Sequence, residues 1–224
     1  MGSKNILRRF HDNDDFHNVM KPSRETLLSN TFPHKGKWKE AFFKNELPLV
    51  VELGCGKGEY TVGLAQRFPE NNYVGIDVKG ARFWRGAKTA IKEKLDNVAF
   101  VRAHIELIES IFEEDEVDEM WITFPDPQIK LKREKHRLTN PVFLNRYKKI
   151  LKQDGFVHLK TDSEFIYGYT QGLLKGLGHE VVYEHPDIYR NNDLKGPLTE
   201  IQTFYEKQYL EVNKPITYLK FKFN

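Results

Sequence analysis

Cysteine is nearly absent from this sequence, which has one, Cys55, in 224 residues. A single cysteine cannot form an intramolecular disulfide, so the small disulfide-rich secreted folds are excluded. Long apolar runs are lacking too, and none approaches the roughly 20 residues that a membrane-spanning helix needs. Residues 1–6 have no apolar signal-like region and no Ser or Thr at position 6 for myristoylation. We therefore expect a cytoplasmic protein that does not bind a membrane.

Internal repeats and low-complexity segments are also missing, and the net charge is only +3. A hydrophobic content of 39% is enough to form the core of one domain in a chain of this length. Residues 1–30 are polar and weakly periodic, which predicts a mobile arm. Phe10, Phe16 and Leu27–Leu28 are the apolar residues through which that arm could dock. Residues 31–224 then form a single domain.

Strand and helix patterns alternate along that domain. The predicted strands are Leu47–Leu53, Tyr73–Asp77, Val98–Ala103, Glu119–Phe124, Gly155–Thr161, Glu180–Tyr183 and Ile216–Phe223. The predicted helices are Glu59–Phe68, Gly80–Lys94, Glu106–Phe112, Pro141–Lys152 and Ser163–Leu177. Such alternation predicts an α/β fold of Rossmann-like type, with a mostly parallel seven-stranded sheet and helices on both faces. Ligands of such sheets bind beyond the carboxyl ends of the strands.

A glycine-rich turn follows the first predicted strand, where Glu52 precedes Gly54, Gly56 and Gly58. Glycines at a strand-to-helix turn let the backbone approach a ligand closely, because no Cβ intervenes. A dinucleotide fingerprint would place its third glycine at position 59, where this chain has Glu59. That carboxylate would also repel a pyrophosphate at the helix N-terminus. The turn therefore favours a ligand without phosphates, such as the adenosyl group of S-adenosylmethionine, over a tight turn without a ligand.

Asp77 ends the second predicted strand, about twenty residues beyond the glycines, where such folds place an acid that accepts hydrogen bonds from ribose hydroxyls. An N-cap of the next helix is the alternative role, and the two are compatible. Polar residues lie at or beyond the other strand ends as well: Glu52, His104, Asp126 and Asp162. Cys55 is interpreted as a small filler in the turn.

The fourth predicted strand is followed by Pro125, Asp126 and Pro127. The prolines fix the backbone around this acid, which indicates a positioned functional group, with a purely structural turn as the alternative. A basic segment then begins: Lys130, Lys132, Arg133, Lys135, His136 and Arg137. A second basic cluster holds Lys35, Lys37 and Lys39. Two basic segments flanking a ligand site favour a polyanionic partner, nucleic acid first.

Together these residues resemble a known family. The Glu52–Gly58 turn and Asp77 are similar to the first two motifs of class I methyltransferases, and 124–138 resembles the hallmark segment of bacterial tRNA (guanine-N7)-methyltransferases. Two shorter matches are Lys160-Thr161-Asp162 and Thr203-Phe204-Tyr205-Glu206, with Thr199–Gln202 as an alternative register for the latter. The resemblance covers about residues 35–220, and its motifs occur in family order.

The resemblance implies a single class I methyltransferase domain that uses S-adenosylmethionine and tRNA, with no metal, as a monomer or homodimer. It implies Asp126 as the catalytic residue. The implied cofactor-binding residues are Glu52, Gly54, Gly56, Gly58, Asp77, His104 and Asp126. The implied substrate-binding residues are Lys130, Asp162, Thr203, Phe204, Tyr205 and Glu206. The implied reaction is methylation of guanine N7 in the tRNA variable loop.

Some residues depart from the family pattern. Gln128 and Ile129 replace its Trp-Pro, Leu131 and His136 replace basic residues, and His104 stands where an acid is usual. The rival interpretations are a small-molecule methyltransferase, an aminopropyltransferase and a non-enzymatic RNA-binding protein. The basic segment argues against the first two, and the intact Glu52, Asp77 and Asp126 argue against the third. Phe-Pro-Asp-Pro also differs from the Asn/Asp-Pro-Pro-aromatic segment of adenine amino-methyltransferases.

Overall fold

One sheet of eight strands organises the described parts of the chain, which are residues 3–190 and 194–224 of a computed structural model. The strands are β1 (Val19–Met20), β2 (Leu49–Leu53), β3 (Asn72–Asp77), β4 (Val98–Arg102), β5 (Val117–Thr123), β6 (Leu151–Thr161), β7 (Glu180–His185) and β8 (Thr217–Lys222). Their order is β1-β4-β3-β2-β5-β6-β8-β7, and β8 runs antiparallel to both of its neighbours. The predicted mostly parallel α/β sheet is confirmed, with eight strands in place of seven because of β1.

The α-helices are α1 (Ser3–Asp15), α2 (Arg24–Leu28), α3 (Glu59–Arg67), α4 (Gly80–Lys92), α5 (Pro141–Ile150), α6 (Glu164–Leu177), α7 (Pro197–Glu200) and α8 (Phe204–Glu211). A π-helix covers Trp38–Phe43, and 3-10 helices cover Ile105–Ser110 and Leu131–His136. The helix predicted over 106–112 is thus the first of these 3-10 helices, because Leu107 leaves helical geometry at φ −105°. In the described chain, no helix has the length and apolarity to cross a membrane.

Both faces of the sheet are covered, as its apolar central strands require. Alternate residues of β2 point to opposite sides: Val51 and Leu53 belong to one buried cluster, and Val50 belongs to the other. The first cluster includes Trp38 and the second includes Tyr60, and neither side chain is exposed. All residues of β2 are therefore buried, and the chain reaches solvent only after the strand ends, where the glycine turn begins. The strand order reverses there between β3 and β5, which is the position where open α/β sheets bind ligands.

The N-terminal segment has a folded path along one edge of the domain. Strand β1 pairs in parallel with β4, and the Asn18 side chain donates to the Ala87 carbonyl of α4 at 3.1 Å. The docking considered for Phe16 and Leu27 is observed, since Phe16 packs on a core cluster and Leu27 is buried, whereas Leu28 is exposed. The side chain of Phe10 lies outside the described residues. Mobility of residues 1–30 stays a prediction. The contacts of β1, Asn18, Phe16 and Leu27 show where this segment packs on the domain.

Candidate active site

The glycine turn connects β2 to α3 through backbone that approaches its neighbours closely. Gly54, Gly56 and Gly58 have φ values of 72°, 56° and 73°, in the left-handed region that favours glycine. A Cβ on Gly58 would lie 2.7 Å from the Phe100 ring and 3.2 Å from the Gly86 Cα. Gly58 is therefore required by packing and by conformation, independently of any ligand.

Glu52, at the end of β2, is buried and hydrogen-bonded within the protein. Its Oε2 accepts the Thr61 N–H at 2.8 Å and the Thr61 hydroxyl, and its Oε1 accepts the Thr123 hydroxyl at 2.6 Å. Burial raises the pKa of this carboxyl to about 7, against the effect of these hydrogen bonds. Glu52 thus joins β2 to α3 and β5. It supports the floor of the predicted cofactor site, and its carboxylate does not line the cleft described below.

Asp77, at the end of β3, holds the glycine turn and the residue before α4, but it is not the N-cap of that helix, which is Lys79 and has no side-chain cap. Its Oδ2 accepts the Gly56 N–H at 3.0 Å, and its Oδ1 accepts the Lys79 N–H at 2.7 Å at the start of α4. Burial raises the pKa of the Asp77 carboxyl, and these backbone hydrogen bonds oppose that shift. An ionised carboxylate has about four acceptor positions. Both oxygens therefore keep capacity for ribose hydroxyls.

A cleft of about 90 Å³ opens at this edge of the sheet. It is lined by Gly54, Cys55, Gly56, Lys57, Glu59, Arg82, Thr123, Phe124, Thr203 and Tyr205. The structure thus brings three sequence-distant motifs together: the glycine turn, the segment after β5 and the C-terminal Thr-x-x-Glu motif. Lys57, Arg82 and Thr123 were not predicted as site residues. Lys57 could have been found from its place between the second and third glycines.

Larger depressions lie elsewhere, and one of them has about 470 Å³ between the start of β6 and the end of β8. Asp154, Gly155 and Lys222 are among its lining residues. Because β8 is antiparallel, this depression is at the amino ends of the parallel strands. Ligands of doubly wound sheets bind at the opposite edge, so the smaller cleft is the better candidate for the site.

The Asp126 loop has an unusual backbone. Phe124 and Gln128 adopt φ values of 48° and 45°, which are rare for residues other than glycine. The Phe124 N–H donates to the Lys160 carbonyl at 2.8 Å, which fixes the start of the loop on β6. Asp126 itself is exposed, and its Oδ1 accepts the Gln128 N–H at 3.1 Å. Strained backbone of this kind is common at functional sites, which fits a positioned Asp126.

Arg137 holds this loop from behind and is 4% exposed. Its guanidinium donates to the carbonyls of Gln128 at 3.2 Å and Ile129 at 3.3 Å, and it pairs with Glu134 at 3.3 Å. The rings of Phe165 and Tyr169 lie 4.8 and 4.6 Å from its Cζ. On sequence grounds, Arg137 was counted in the basic segment that favours a polyanionic partner. Arg137 is instead buried, and its guanidinium is engaged by these carbonyls, by Glu134 and by the two rings.

The other basic residues of the segment are exposed: Lys130, Lys132, Arg133, Lys135 and His136. Among them, Arg133 donates to the Gln128 side chain at 2.7 Å, so the residue that replaces the family's Trp is part of the loop's packing. Leu138, at the end of the segment, would lie 3.7 Å from a Cβ on Gly54. The basic segment therefore leads directly from the Asp126 loop to the glycine turn.

The second basic cluster does not flank this site. Lys35 lies 3.7 Å from Glu113, and Lys39 lies 3.7 Å from Asp118. These acids precede and begin β5, at the amino ends of the parallel strands. Trp38 between the lysines is buried, with its indole N–H donating to the Ile111 carbonyl at 3.0 Å. The expectation of two basic segments beside the site is corrected to one.

The C-terminal motif begins α8 and covers the glycine turn. Thr203 and Glu206 form a capping box, and the Phe204 N–H donates to Glu59 at 2.9 Å. The Lys57 ammonium lies 3.3 Å from the centre of the Phe204 ring, and burial lowers the pKa of Lys57. Glu206 is completely buried. Thr203, Phe204 and Tyr205 thus lie at or beside the cleft, whereas Glu206 faces the protein interior.

The two remaining predicted residues lie at strand ends but outside the cleft lining. Asp162, just after β6, is paired with Lys214, whose ammonium lies 4.8 Å from the Tyr209 ring. Tyr209 in turn packs on Phe124 at 6.0 Å, so Asp162 borders the Asp126 loop. His104, after β4, is mostly exposed and lies 3.8 Å from Glu106. No contact joins His104 to the other predicted site residues among the described interactions.

Comparisons with known proteins identify the family of this chain. Residues 46–219 match a family model described as "Putative methyltransferase". A Christiangramia forsetii protein named tRNA (guanine-N(7)-)-methyltransferase is 67% identical over 222 residues, which are 99% of each chain. A protein of the same name from Limosilactobacillus fermentum is 30% identical over 205 residues, covering 92% of this chain and 94% of its own.

Solved structures resemble the fold at low sequence identity. A 16S rRNA methyltransferase, KamB, superposes with a TM-score of 0.64 at 12% identity, covering 83% of this chain and 92% of its own. A structure described as an antibiotic-related methyltransferase gives a TM-score of 0.60 at 17% identity, with 92% and 96% coverage. These similarities concern the fold alone.

Proposed function

Because the chain belongs to the tRNA (guanine-N7-)-methyltransferase family, we propose that it transfers a methyl group from S-adenosylmethionine to N7 of a guanine in the tRNA variable loop. One observation carries the assignment of residues. Phe124, which starts the Asp126 loop, lines the same cleft as the glycine turn, and the exposed basic segment runs from that loop to Leu138 beside Gly54. A cofactor cleft beside a surface for phosphates is what methylation of a nucleic acid requires.

The cofactor fits the donors and acceptors at this edge. The glycine turn offers backbone without Cβ atoms, and Asp77 keeps acceptor capacity for ribose hydroxyls. Glu59, in the first turn of α3, disfavours a pyrophosphate and leaves a sulfonium ligand acceptable. When bound, S-adenosylmethionine supplies the methyl group from its positively charged sulfur.

The chemistry asks little of a general base. Guanine N7 has an in-plane lone pair and no proton, so the protein's task is to align the base in the site. The product guanine is cationic, and we propose that Asp126 stabilises the positive charge that develops in the transition state. The exposure of Asp126 and the strained backbone on both sides of it support this role. Lys130, Thr203 and Asp162 are the proposed contacts for the base or its phosphates.

The variable-loop base must be displaced from the tertiary structure of tRNA to enter the cleft, at a cost of a few kcal/mol. Phosphate contacts from the exposed cations at 130–136 offset this cost, which makes binding depend on salt concentration. A tRNA substrate implies action in the cytoplasm. The oligomeric state that the family resemblance implies, a monomer or a homodimer, is part of the proposal.

The direct test incubates the protein with labelled S-adenosylmethionine and a tRNA transcript. A matched transcript carries 7-deazaguanine at the target base, which removes N7 and changes little else. We expect label in the first transcript and none in the second. Equal labelling of both would refute the N7 assignment, and labelling of neither would favour a small-molecule methyltransferase.

A second test separates catalysis from cofactor binding at Asp126. We expect Asp126→Ala to lower turnover by roughly 100-fold, as for the loss of one electrostatic group in a transition state. Cofactor affinity, measured by calorimetry, should fall much less. A parallel loss of both would make Asp126 mainly a cofactor ligand.

A further inference from the structure

A buried ion pair lies directly behind the cleft. Lys160 on β6 and Glu206 on α8 are 2.7 Å apart, and neither side chain is exposed. The Lys160 ammonium also donates to the Ile201 carbonyl at 3.2 Å and lies 5.0 Å from the Tyr60 ring. The Glu206 carboxylate also accepts the Tyr189 hydroxyl at 2.8 Å and the Thr203 N–H at 3.2 Å. Every polar group of the pair is thus satisfied by protein.

Such a pair is costly to bury, and well-packed apolar residues in its place are often equally stable. Stability is therefore a weak reason for its presence. Burial lowers the pKa of the Lys160 ammonium, and the adjacent Glu206 carboxylate opposes that shift. The pair is distinguished by its hydrogen bonds to the backbone, because Lys160 binds the Ile201 carbonyl and Glu206 binds the Thr203 N–H.

These two backbone groups lie in the segment from Ile201 to Tyr205, which supplies Thr203 and Tyr205 to the cleft. A further tie is the hydrogen bond from the Phe204 N–H to Glu59 on the glycine turn. Lys160 also precedes Thr161 and Asp162, and its carbonyl accepts the Phe124 N–H that starts the Asp126 loop. One residue thus touches the C-terminal motif with its side chain and the Asp126 loop with its backbone.

We propose that Lys160 is a positioning residue for methyl transfer, whose buried ion pair with Glu206 holds the segment from Ile201 to Tyr205 against the glycine turn. The inference rests on the proposed function and adds a residue to it. It also assigns a different role to Glu206, which the family resemblance places among the substrate contacts. Glu206 serves the site through Lys160 and the helix cap, and does not contact guanine.

Single variants test the positioning role. Lys160→Met removes the charge and keeps most of the volume, and Glu206→Gln is isosteric. For either, we expect turnover to fall by about 10- to 100-fold, as for a misplacement on the order of 1 Å. The KM for tRNA should stay within about threefold, because the exposed cations at 130–136 are untouched. Lys222→Met is the matched control, since it breaks an exposed strand ion pair with Glu180 and should leave turnover unchanged.

The double variant Lys160→Met/Glu206→Gln separates positioning from direct contact. It removes both charges and keeps an oxygen acceptor for the Thr203 N–H. Positioning predicts that turnover recovers at least several-fold over Lys160→Met. If Glu206 contacted guanine through its charge, the double variant would be as inactive as Glu206→Gln, and the proposal would be overturned. Normal turnover in a folded single variant would overturn it too.

Hydrogen exchange provides a measurement that needs no RNA. The Thr203 and Phe204 amides should exchange at least tenfold faster in Glu206→Gln, while the amides of α3 are unchanged. Unchanged protection of Thr203 and Phe204 would contradict the proposal even where a lysine variant does not fold. A wild-type protein that fails to methylate N7 would refute the proposed function alone, because the exchange result does not depend on the acceptor.

Discussion

Replacing Glu52 by glutamine should change how the stability of the protein depends on pH. Glu52 is buried at the end of β2 and accepts hydrogen bonds from Thr61 and Thr123. Burial raises its pKa from 4.5 to about 7. Glutamine has nearly the same shape and no charge, and its oxygen can still accept the Thr61 N–H. The same oxygen can also accept the Thr61 hydroxyl, and the Thr123 hydroxyl can rotate to accept from the amide NH2 group.

The sign of the effect follows from proton binding. Between pH 4.5 and 7, the folded protein holds a proton on Glu52 that the unfolded chain has lost. The free energy of unfolding therefore decreases as the pH rises through this window. The rise in pKa to about 7 corresponds to roughly 3 kcal/mol. Glu52→Gln has no carboxyl group at this position and keeps the stability that the wild type loses. The free energy of unfolding of Glu52→Gln minus that of the wild type should therefore increase by about 3 kcal/mol from pH 4.5 to pH 8.

The assay is urea unfolding of both proteins at several pH values from 4.5 to 8. Titration of the other groups affects both proteins alike and cancels in the difference. Val142→Ala, at an exposed side chain that carries no titratable group, is the control and should give a difference that does not vary with pH. A constant difference for Glu52→Gln as well would refute the reasoning, because Glu52 would then titrate equally in both states.

Three further predictions concern packing, the thiol and the basic segment. In the same urea assay, Gly58→Ala should lower the free energy of unfolding by ~2–4 kcal/mol, because the added Cβ contacts the Phe100 ring and the residue has a positive φ. Gly172→Ala on α6, where the added Cβ has no neighbour, should raise the free energy of unfolding by ~0.5–1 kcal/mol. Burial raises the pKa of the Cys55 thiol, so Ellman's reagent should react slowly at pH 8 with the folded protein and fast after unfolding; rapid reaction of the folded protein would contradict this. Arg137→Lys should lower turnover and leave the salt dependence of tRNA binding nearly unchanged, because Arg137 is buried. Lys135→Gln should reduce the slope of log K for tRNA binding against log salt concentration by about 1. Equal slopes in the two variants would refute the assignment of Lys135 as a phosphate contact and Arg137 as a residue that supports the loop.

The sequence predicted the sheet and its ligand edge well, because period-two apolar runs and turn residues determine them locally. Seven predicted strands are found within a few residues of their expected ends. The eighth, β1, has two residues, Val19 and Met20, and such a short strand leaves no periodic pattern. The π-helix at Trp38–Phe43 depends on how Trp38 packs in the core, which a local pattern does not encode.

The site residues likewise divide into those that a local sequence pattern predicts and those that depend on contacts between distant parts of the chain. Asp77 and the glycine turn were predicted correctly as neighbours, because their spacing fixes them on adjacent strands. The burial of Arg137 was not predicted, since a basic residue in a basic segment is expected to face solvent, and only its contacts with distant aromatic rings reverse that expectation. Lys160 was named only within the Lys-Thr-Asp match, because its buried partner Glu206 is distant in the chain. The capping box of Thr203 and Glu206 could have been found, because Thr-x-x-Glu is its sequence signature.

Strand β8 lies between β6 and β7 although it follows both in the chain. During synthesis on the ribosome, β6 therefore emerges with one edge unpaired, and β7 waits for the strand beside it. An unpaired edge of this kind is prone to pair with other chains. Lys160, which lies behind the cleft, is a residue of β6 and so belongs to the strand with the unpaired edge. The β6 edge is thus covered only after Thr217–Lys222 has left the ribosome, and a nascent chain stalled before that point would expose it.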